Sequence, residues 1–157
     1  MSRVGATTFT TPSAREIVVT RDFDAPRALV FDAWTNPEHL PHWMGPREWT
    51  MTACEIDLRP GGAFRFAWDG PGGAQMGISG LYREIVPPER LVTTEAWAGW
   101  GETLNTLVLA EDSGRTAMTC TVLFPSSEAL SSALATPMRD GMSAGFDRLD
   151  ARLRTMA

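Results

Sequence analysis

Two histidines lie close together in residues 37–46, Pro-Glu-His-Leu-Pro-His-Trp-Met-Gly-Pro. His39 and His42 are the only histidines of the chain and are about one helical turn apart. Imidazoles at this spacing could share a metal, but Pro41 interrupts the turn and no nearby cysteine completes a zinc site. We therefore predict no metal and no cofactor, and retain His42 as a candidate general base.

Two polar residues fall on the apolar side of predicted strands. Asn105 is in phase with leucines, and Glu95 is in phase with Leu91 and a tryptophan. An unpaired buried carboxylate is costly, so Glu95 needs a partner or a shifted pKa. Two interpretations stay open: Glu95 is a polar anchor or acid in a pocket, or it pairs with an arginine such as Arg83 or Arg65, or turns to solvent.

Nucleophilic chemistry has little support in the sequence. All fourteen basic residues are arginine, so no lysine can form a Schiff base. Cys54 and Cys120 lie in apolar strand patterns, which favours buried small side chains over redox function. Neither a Gly-x-Ser-x-Gly elbow nor a phosphate-binding loop is present.

Length and charge exclude further classes of function. A chain of 157 residues with a net charge of −5 is unsuited to nucleic acid, which needs a basic face. Since no apolar run approaches the ~20 residues of a membrane span, we predict a cytoplasmic protein. Residues 1–14 are rich in Ser and Thr and predict a disordered tail, followed by one domain over residues 15–157.

The remaining pattern predicts an α+β domain. A strand over residues 15–23 precedes a helix, with Asp24 as its N-cap and Pro26 in its first turn, and then a short helix in residues 37–46. Six further strands follow, and their short loops require antiparallel pairing. They are predicted over residues 49–58, 63–69, 75–86, 91–97, 103–111 and 115–124.

The C-terminal third predicts two helices. The first begins at residues 126–128, and the second has Thr136 as N-cap and Pro137 as its first residue. An apolar stripe along the second helix includes Met142, with charged residues such as Asp147 and Arg148 away from it. This helix is the element available to cover the apolar face of a seven-stranded sheet.

Several motifs in order carry a family resemblance. They are Phe-Asp-Ala-Pro-Arg at 23–27, Val-Phe-Asp-Ala-Trp-Thr at 30–35, His-Trp-Met-Gly-Pro at 42–46, Asp-Leu-Arg-Pro-Gly-Gly at 57–62, Ile-Val-Pro-Pro-Glu-Arg-Leu-Val at 85–92, and residues 141–149. Through them the chain resembles the START-like (SRPBCC, helix-grip) superfamily, in the group named after the activator of the heat-shock protein 90 ATPase.

The resemblance implies a helix-grip fold, in which a curved antiparallel sheet grips the C-terminal helix and two short helices close a cavity between them. Members bind apolar small molecules or lipids, act as cyclases, or contact chaperones. Met44 and Met142 stand where the family commonly has tryptophan. A flexible thioether at each position would make the cavity larger or more adaptable.

We therefore predict a binding protein for an apolar or aromatic molecule, such as a lipid, flavonoid or polyketide. Alternatives are a cyclase or hydrolase using His42 or Glu95 as acid-base, and a co-chaperone-like module; the chain would be a monomer or homodimer. The predicted ligand-binding residues are Phe31, Trp34, Trp43, Met44, Phe64, Phe66, Trp68, Met76, Ile78, Trp97, Asn105, Leu107, Met118, Cys120, Met138, Met142 and Phe146.

Overall fold

A computed structural model describes residues 6–97 and 101–156 of the chain; of Trp97 it describes the backbone alone. The fold is α+β, with one antiparallel sheet and three α-helices, as the sequence predicted. None of the helices in the described residues has the length and apolar character that a membrane crossing requires.

The sheet has eight strands in the order β1-β2-β8-β7-β6-β5-β4-β3. From β3 to β8 each strand pairs with the next one in the chain, and β2 closes the order by pairing with β8. The strands are β1 (Thr8–Ser13), β2 (Glu16–Phe23), β3 (Thr50–Ile56), β4 (Ala63–Asp69), β5 (Gln75–Val86), β6 (Arg90–Trp97), β7 (Gly101–Asp112) and β8 (Arg115–Leu123).

The strand count corrects the predicted seven-stranded sheet. Thr8–Ser13 forms an edge strand paired with β2, although residues 1–14 were predicted as a disordered tail. Threonine is β-branched and suits a strand, and Phe9 packs against the core. The polar composition of residues 8–13 therefore reflects an exposed edge of the sheet.

The helices are α1 (Arg27–Thr35), α2 (Ser127–Leu134) and α3 (Met138–Met156). Ser126 caps α2 by accepting a hydrogen bond from the Ala129 amide at 3.0 Å. The predicted cap of α1 is wrong, because Pro26 occupies the N-cap position and Asp24 lies 3.5 Å from Arg115 instead. The short helix predicted in residues 37–46 is a single 3₁₀ turn, Leu40–His42.

Strand register divides the sheet into two faces. We call inner face the one that carries Val19, Phe66, Ile78, Leu107 and Cys120, all buried in one cluster. Three residues of α3 belong to the same cluster, so α3 packs on this face. They are Phe146, Leu149 and Leu153.

A buried arginine joins the sheet to this helix. Arg21 points to the inner face, with its side chain 1% exposed, and contacts Asp147 at 2.9 Å and Asp150 at 2.5 Å. Its guanidinium also lies 5.5 Å from the centre of the Phe23 ring. The sequence had placed Asp147 on the outer side of the helix, whereas it pairs across to β2.

We predict that the two carboxylates contribute unequally to stability. Asp150→Asn should lower the free energy of unfolding by about 3 kcal/mol, because it removes a negative charge that pairs with a buried guanidinium. Asp147 is 56% exposed, so Asp147→Asn should cost only about 1 kcal/mol. Urea denaturation of both variants measures this, and equal losses would contradict the ranking.

Candidate functional site

The segment 37–46, called the lid below, is fastened to the domain by indole hydrogen bonds. Trp43 is 3% exposed and donates through Nε1 to the carbonyl of Ala33 in α1, at 3.0 Å. Trp68 on β4 donates through Nε1 to the carbonyl of Met44 at 3.0 Å. The lid thus bridges α1 and the sheet.

Helix α3 holds the same segment from the other side. Arg148 donates to the carbonyl of Trp43 at 3.0 Å and also to that of Gly45. Burial lowers the pKa of Arg148, and the charge of Arg47 lowers it further. A side chain at Gly145 would bring its Cβ to 3.0 Å from the Trp43 carbonyl. A glycine there therefore allows the helix and the lid to approach closely.

His39 has a structural role in this contact. Its Nδ1 accepts from Arg152 Nε at 3.2 Å, and its Nε2 lies 3.1 Å from Asp32 Oδ2. Because a guanidinium can only donate, Nδ1 is the acceptor towards α3, and Nε2 faces the carboxylate on α1. His39 therefore connects the two helices.

His42 is exposed on the lid, so its imidazole lies in water and does not supply an inner-face base. The described residues contain no group of three or more His, Cys, Asp or Glu side chains arranged to hold a metal.

An aromatic cluster fills the space between α1, the lid and α3. Trp34 and Trp43 meet edge to face at 4.9 Å between ring centres, and Trp43 stacks on Phe146 at 6.1 Å. Phe23 contacts the same Phe146 ring at 6.2 Å. The buried Trp34 Nε1 has no hydrogen-bond partner within the described part of the chain. These rings are close enough to contribute pair energies beyond area burial.

A second aromatic row runs along β4. Phe64 and Phe66 lie 5.2 Å apart, Phe66 and Trp68 6.2 Å apart, and Tyr82 on β5 is 5.1 Å from Phe64. Alternation of phenylalanine and tryptophan with Arg65 and Ala67 puts all three β4 rings on the inner face. This confirms the strand face predicted from sequence.

The middle of the inner face is polar. Gly80, Glu95 and Thr103 are opposite one another on β5, β6 and β7. Two residues further along these strands, Tyr82, Thr93 and Asn105 are opposite one another on the same face. Asn105 Nδ2 donates to Thr103 Oγ1 at 3.0 Å. Glu95 and Asn105 are half-buried, while Tyr82 and Thr103 are buried. We call Tyr82, Glu95, Thr103 and Asn105 the inner polar cluster.

Burial controls ionisation around this cluster. It raises the pKa of the Cys120 thiol to about 12, and the charge of Glu95 adds to the shift. The pKa of Tyr82 is raised by burial first, then by Cys54 and Glu95. Burial also raises the pKa of Cys54. Both thiols and the phenol therefore stay neutral near pH 7, with Glu95 close enough to be felt by Tyr82 and Cys120.

The sequence-predicted residues divide between the features above. Phe31 and Leu107 are buried in the main cluster, with Met44, Met76 and Met142 packed against it. Met138 instead packs on a second cluster formed around Ile17, Phe124 and Leu130. The side chain of Trp97 lies outside the described residues. The other candidate residues lie on the inner face or on the elements packed against it. They are Trp34, Trp43, Phe64, Phe66, Trp68, Ile78, Glu95, Asn105, Met118, Cys120 and Phe146.

One proposed pairing is wrong, and two residues were missed. Arg65 bonds Glu55 at 3.0 Å on the outer face, so it is not the partner of Glu95. Tyr82 and Thr103 were not among the predicted site residues. Tyr82 follows Met76 and Ile78 at strand spacing, a signal that could have identified it. Thr103 gives no such signal, because threonine is common on both faces of strands.

A groove of about 630 Å³ opens on the outer face. Its lining includes Glu55, Arg65, Thr94 and Glu102, and strand register puts these opposite to the aromatic row. Of the ligand-binding residues predicted from sequence, Phe64 contributes to this lining. Since the aromatic and methionine side chains gather on the inner face, we take that face as the candidate site.

We predict that Arg148 controls the lid. Arg148→Met leaves the Trp43 and Gly45 carbonyls without their hydrogen-bond donor, which should lower the free energy of unfolding by about 2 kcal/mol. The amides of Trp43 and Met44, which donate to the Leu40 carbonyl, should exchange with solvent faster. Arg154→Met, at an exposed position on the same helix, is the matched control. Unchanged exchange in Arg148→Met would contradict the role.

Cys120 predicts an alkaline loss of stability. In the unfolded chain its pKa is about 8.5, whereas in the fold it is about 12. Above pH ~8.5 the unfolded state binds fewer protons, so the free energy of unfolding falls as pH rises, and below that pH the contribution is fully present. Between pH 8 and 10, the free energy of unfolding of the parent protein should fall by about 2 kcal/mol more than that of Cys120→Ala. Parallel curves in urea denaturation would contradict this.

The comparison with family models gives one match. The model described as "Activator of Hsp90 ATPase homolog 1-like protein" matches residues 24–154. Comparison with curated proteins gives no match.

Solved structures of similar proteins agree with this match. A Rhodobacter sphaeroides protein is 32% identical, with a TM-score of 0.90 over 95% of this chain and 99% of that one. Proteins of Arthrobacter aurescens (24% identical, TM-score 0.85, covering 94% and 91%) and Nitrosomonas europaea (22%, 0.84, 93% and 98%) share the fold. The chain belongs to the family of Activator of Hsp90 ATPase homolog 1-like proteins, with the START-like fold.

Proposed function

We propose that this protein binds an apolar or aromatic small molecule between the inner face of its sheet and α3. One observation carries the proposal: half-buried Glu95 and Asn105 lie in the middle of the inner face, and most of the side chains around this polar cluster are aromatic rings, aliphatic groups and methionine. Polar groups within apolar walls are typical of small-molecule sites. A core built for stability alone would have no need of a carboxylate there.

The lid provides a route of entry. The inner-face rings are buried, so a ligand reaches them only when the lid or α3 moves. Side-chain hydrogen bonds from Arg148, Trp68 and Trp43 fasten the lid, and it forms no strand of the sheet. Opening the site requires these bonds to break and Leu40 and Trp43 to leave the main cluster, while the sheet stays intact.

Methionine makes the site adaptable. Met44 and Met142 are half-buried and pack against the main cluster, on the lid and on α3. In the resemblance, tryptophan commonly occupies both positions. An unbranched thioether repacks around ligands of different shape more readily than an indole does.

The binding of N-phenyl-1-naphthylamine, whose fluorescence rises in apolar surroundings, tests the proposal. We expect saturable binding to the native protein with a Kd of about 1–10 μM, near −7 to −8 kcal/mol. Met142→Trp and Met44→Trp should each weaken binding about tenfold, because an indole fills the space that the thioether leaves adaptable.

Met156→Trp, at the far end of α3, is the matched control and should bind like the parent protein. Thermal melts establish that each variant is folded. Absence of saturable binding, or binding that neither Met44→Trp nor Met142→Trp alters, would contradict the proposal.

A co-chaperone function is a second candidate, favoured by the description of the family alone. It would be exercised in the cytoplasm, the location predicted from the sequence. Stimulation of the heat-shock protein 90 ATPase by the purified chain tests it directly. Unchanged ATPase activity at saturating protein would remove this candidate.

A further inference from the structure

We infer that the ligand carries a hydrogen-bond donor, a protonated amine or a hydroxyl group, and that the Glu95 carboxylate receives it. This inference rests on the proposed function and adds the chemistry of the ligand's polar end. It follows from three features of the inner polar cluster: its geometry, its remaining hydrogen-bonding capacity, and its charge.

The geometry gives Glu95 one apolar neighbour and one polar neighbour. On β5 its partner is Gly80, and a Cβ there would lie 2.5 Å from the Phe64 ring. The absence of a side chain therefore lets the Phe64 ring lie over β5 beside Glu95. On β7 the partner is Thr103, whose hydroxyl donates to the main-chain carbonyl of Glu95 at 3.4 Å. A ligand at Glu95 would contact an aromatic ring and a carboxylate together.

The groups of the inner polar cluster that can bind a ligand are hydrogen-bond acceptors. Asn105 uses its amide hydrogens on the hydroxyl and carbonyl of Thr103, so its carbonyl oxygen is what it can offer to a ligand. A carboxylate has about four lone-pair positions, and Glu95 can accept from a ligand as well as from its protein neighbours. Glu95 and Asn105 also retain exposed surface, in contrast to Thr103 and Tyr82.

The charge of the Glu95 carboxylate itself favours a ligand cation over an anion. A ligand carboxylate would meet the negative charge of half-buried Glu95, which is unfavourable. An ammonium or hydroxyl group would form a charge-assisted hydrogen bond there.

Four naphthalene probes of one size separate these possibilities: 1-naphthylmethylamine, 1-naphthalenemethanol, 1-methylnaphthalene and 1-naphthylacetate. Quenching of tryptophan fluorescence at pH 7 gives the Kd of each. In the parent protein we expect the amine to bind about 10–100-fold more tightly than methylnaphthalene, the alcohol to be intermediate, and naphthylacetate to be weakest.

Glu95→Gln keeps the size of the side chain and removes its charge. It should abolish most of the amine's advantage and leave methylnaphthalene binding unchanged. Glu102→Gln removes the same charge from the exposed outer face of β7 and should alter neither value.

Equal binding of amine and naphthylacetate to the parent protein overturns the inference, and so does an amine advantage that Glu95→Gln leaves intact. Methylnaphthalene binding would then still support the proposed function. If none of the four probes binds, the proposed function and this inference both fail. The ranking in the parent protein decides the inference even if Glu95→Gln does not fold.

Discussion

The ion pairs of the buried Arg21 side chain determine how α3 lies over the sheet. Helix α3 crosses the inner face, and Asp147 and Asp150 fix its position and rotation relative to β2. Apolar packing alone tolerates sliding, because it is not directional. A planar guanidinium that bonds two carboxylates one helical turn apart admits a single register. With α3 held in this way, Arg148 and Arg152 reach the lid.

Arginine side chains make the polar contacts that hold α3 against the sheet and the lid. Three polar contacts between α3 and its surroundings use guanidinium groups, those of Arg21, Arg148 and Arg152. A flat, multidentate donor can bind a carboxylate pair, two carbonyls or an imidazole, which a lysine ammonium does less well. The outcome is a lid and a helix joined by polar contacts over an apolar face. Beneath these contacts, Trp43 of the lid and Phe146 of α3 pack into the main cluster.

Much of the sheet could be predicted from the sequence, because the alternation of apolar and polar residues along a strand shows which of its faces is buried. Strand β5 begins and ends at the predicted residues, and the inner row of β4 is as predicted. The edge strand Thr8–Ser13 was missed because a mostly exposed strand lacks an apolar face to reveal it. The cap at Asp24 was wrong because its side chain lies near Arg115, a partner brought close by tertiary structure alone.

The candidate site was predicted less completely, since it depends on partners distant in sequence. Arg21 showed the parity of a core position, yet the two carboxylates that it binds are more than 120 residues away. The structural role of His39 could not be predicted from the sequence, because its partners Asp32 and Arg152 lie on two different helices. By contrast, Glu95 and Asn105 could be assigned to the inner face from spacing within their own strands.

Methionine-methyl NMR tests the central claim, a ligand site on the inner face beneath the lid, most directly. Protein labelled with ¹³C at its methionine methyl groups would be titrated with 1-naphthylmethylamine. We predict large, saturable shifts for Met44, Met118 and Met142, and little change for Met156 at the end of α3. Shifts that are absent from the first three methyls, or equal at all positions, would contradict the account.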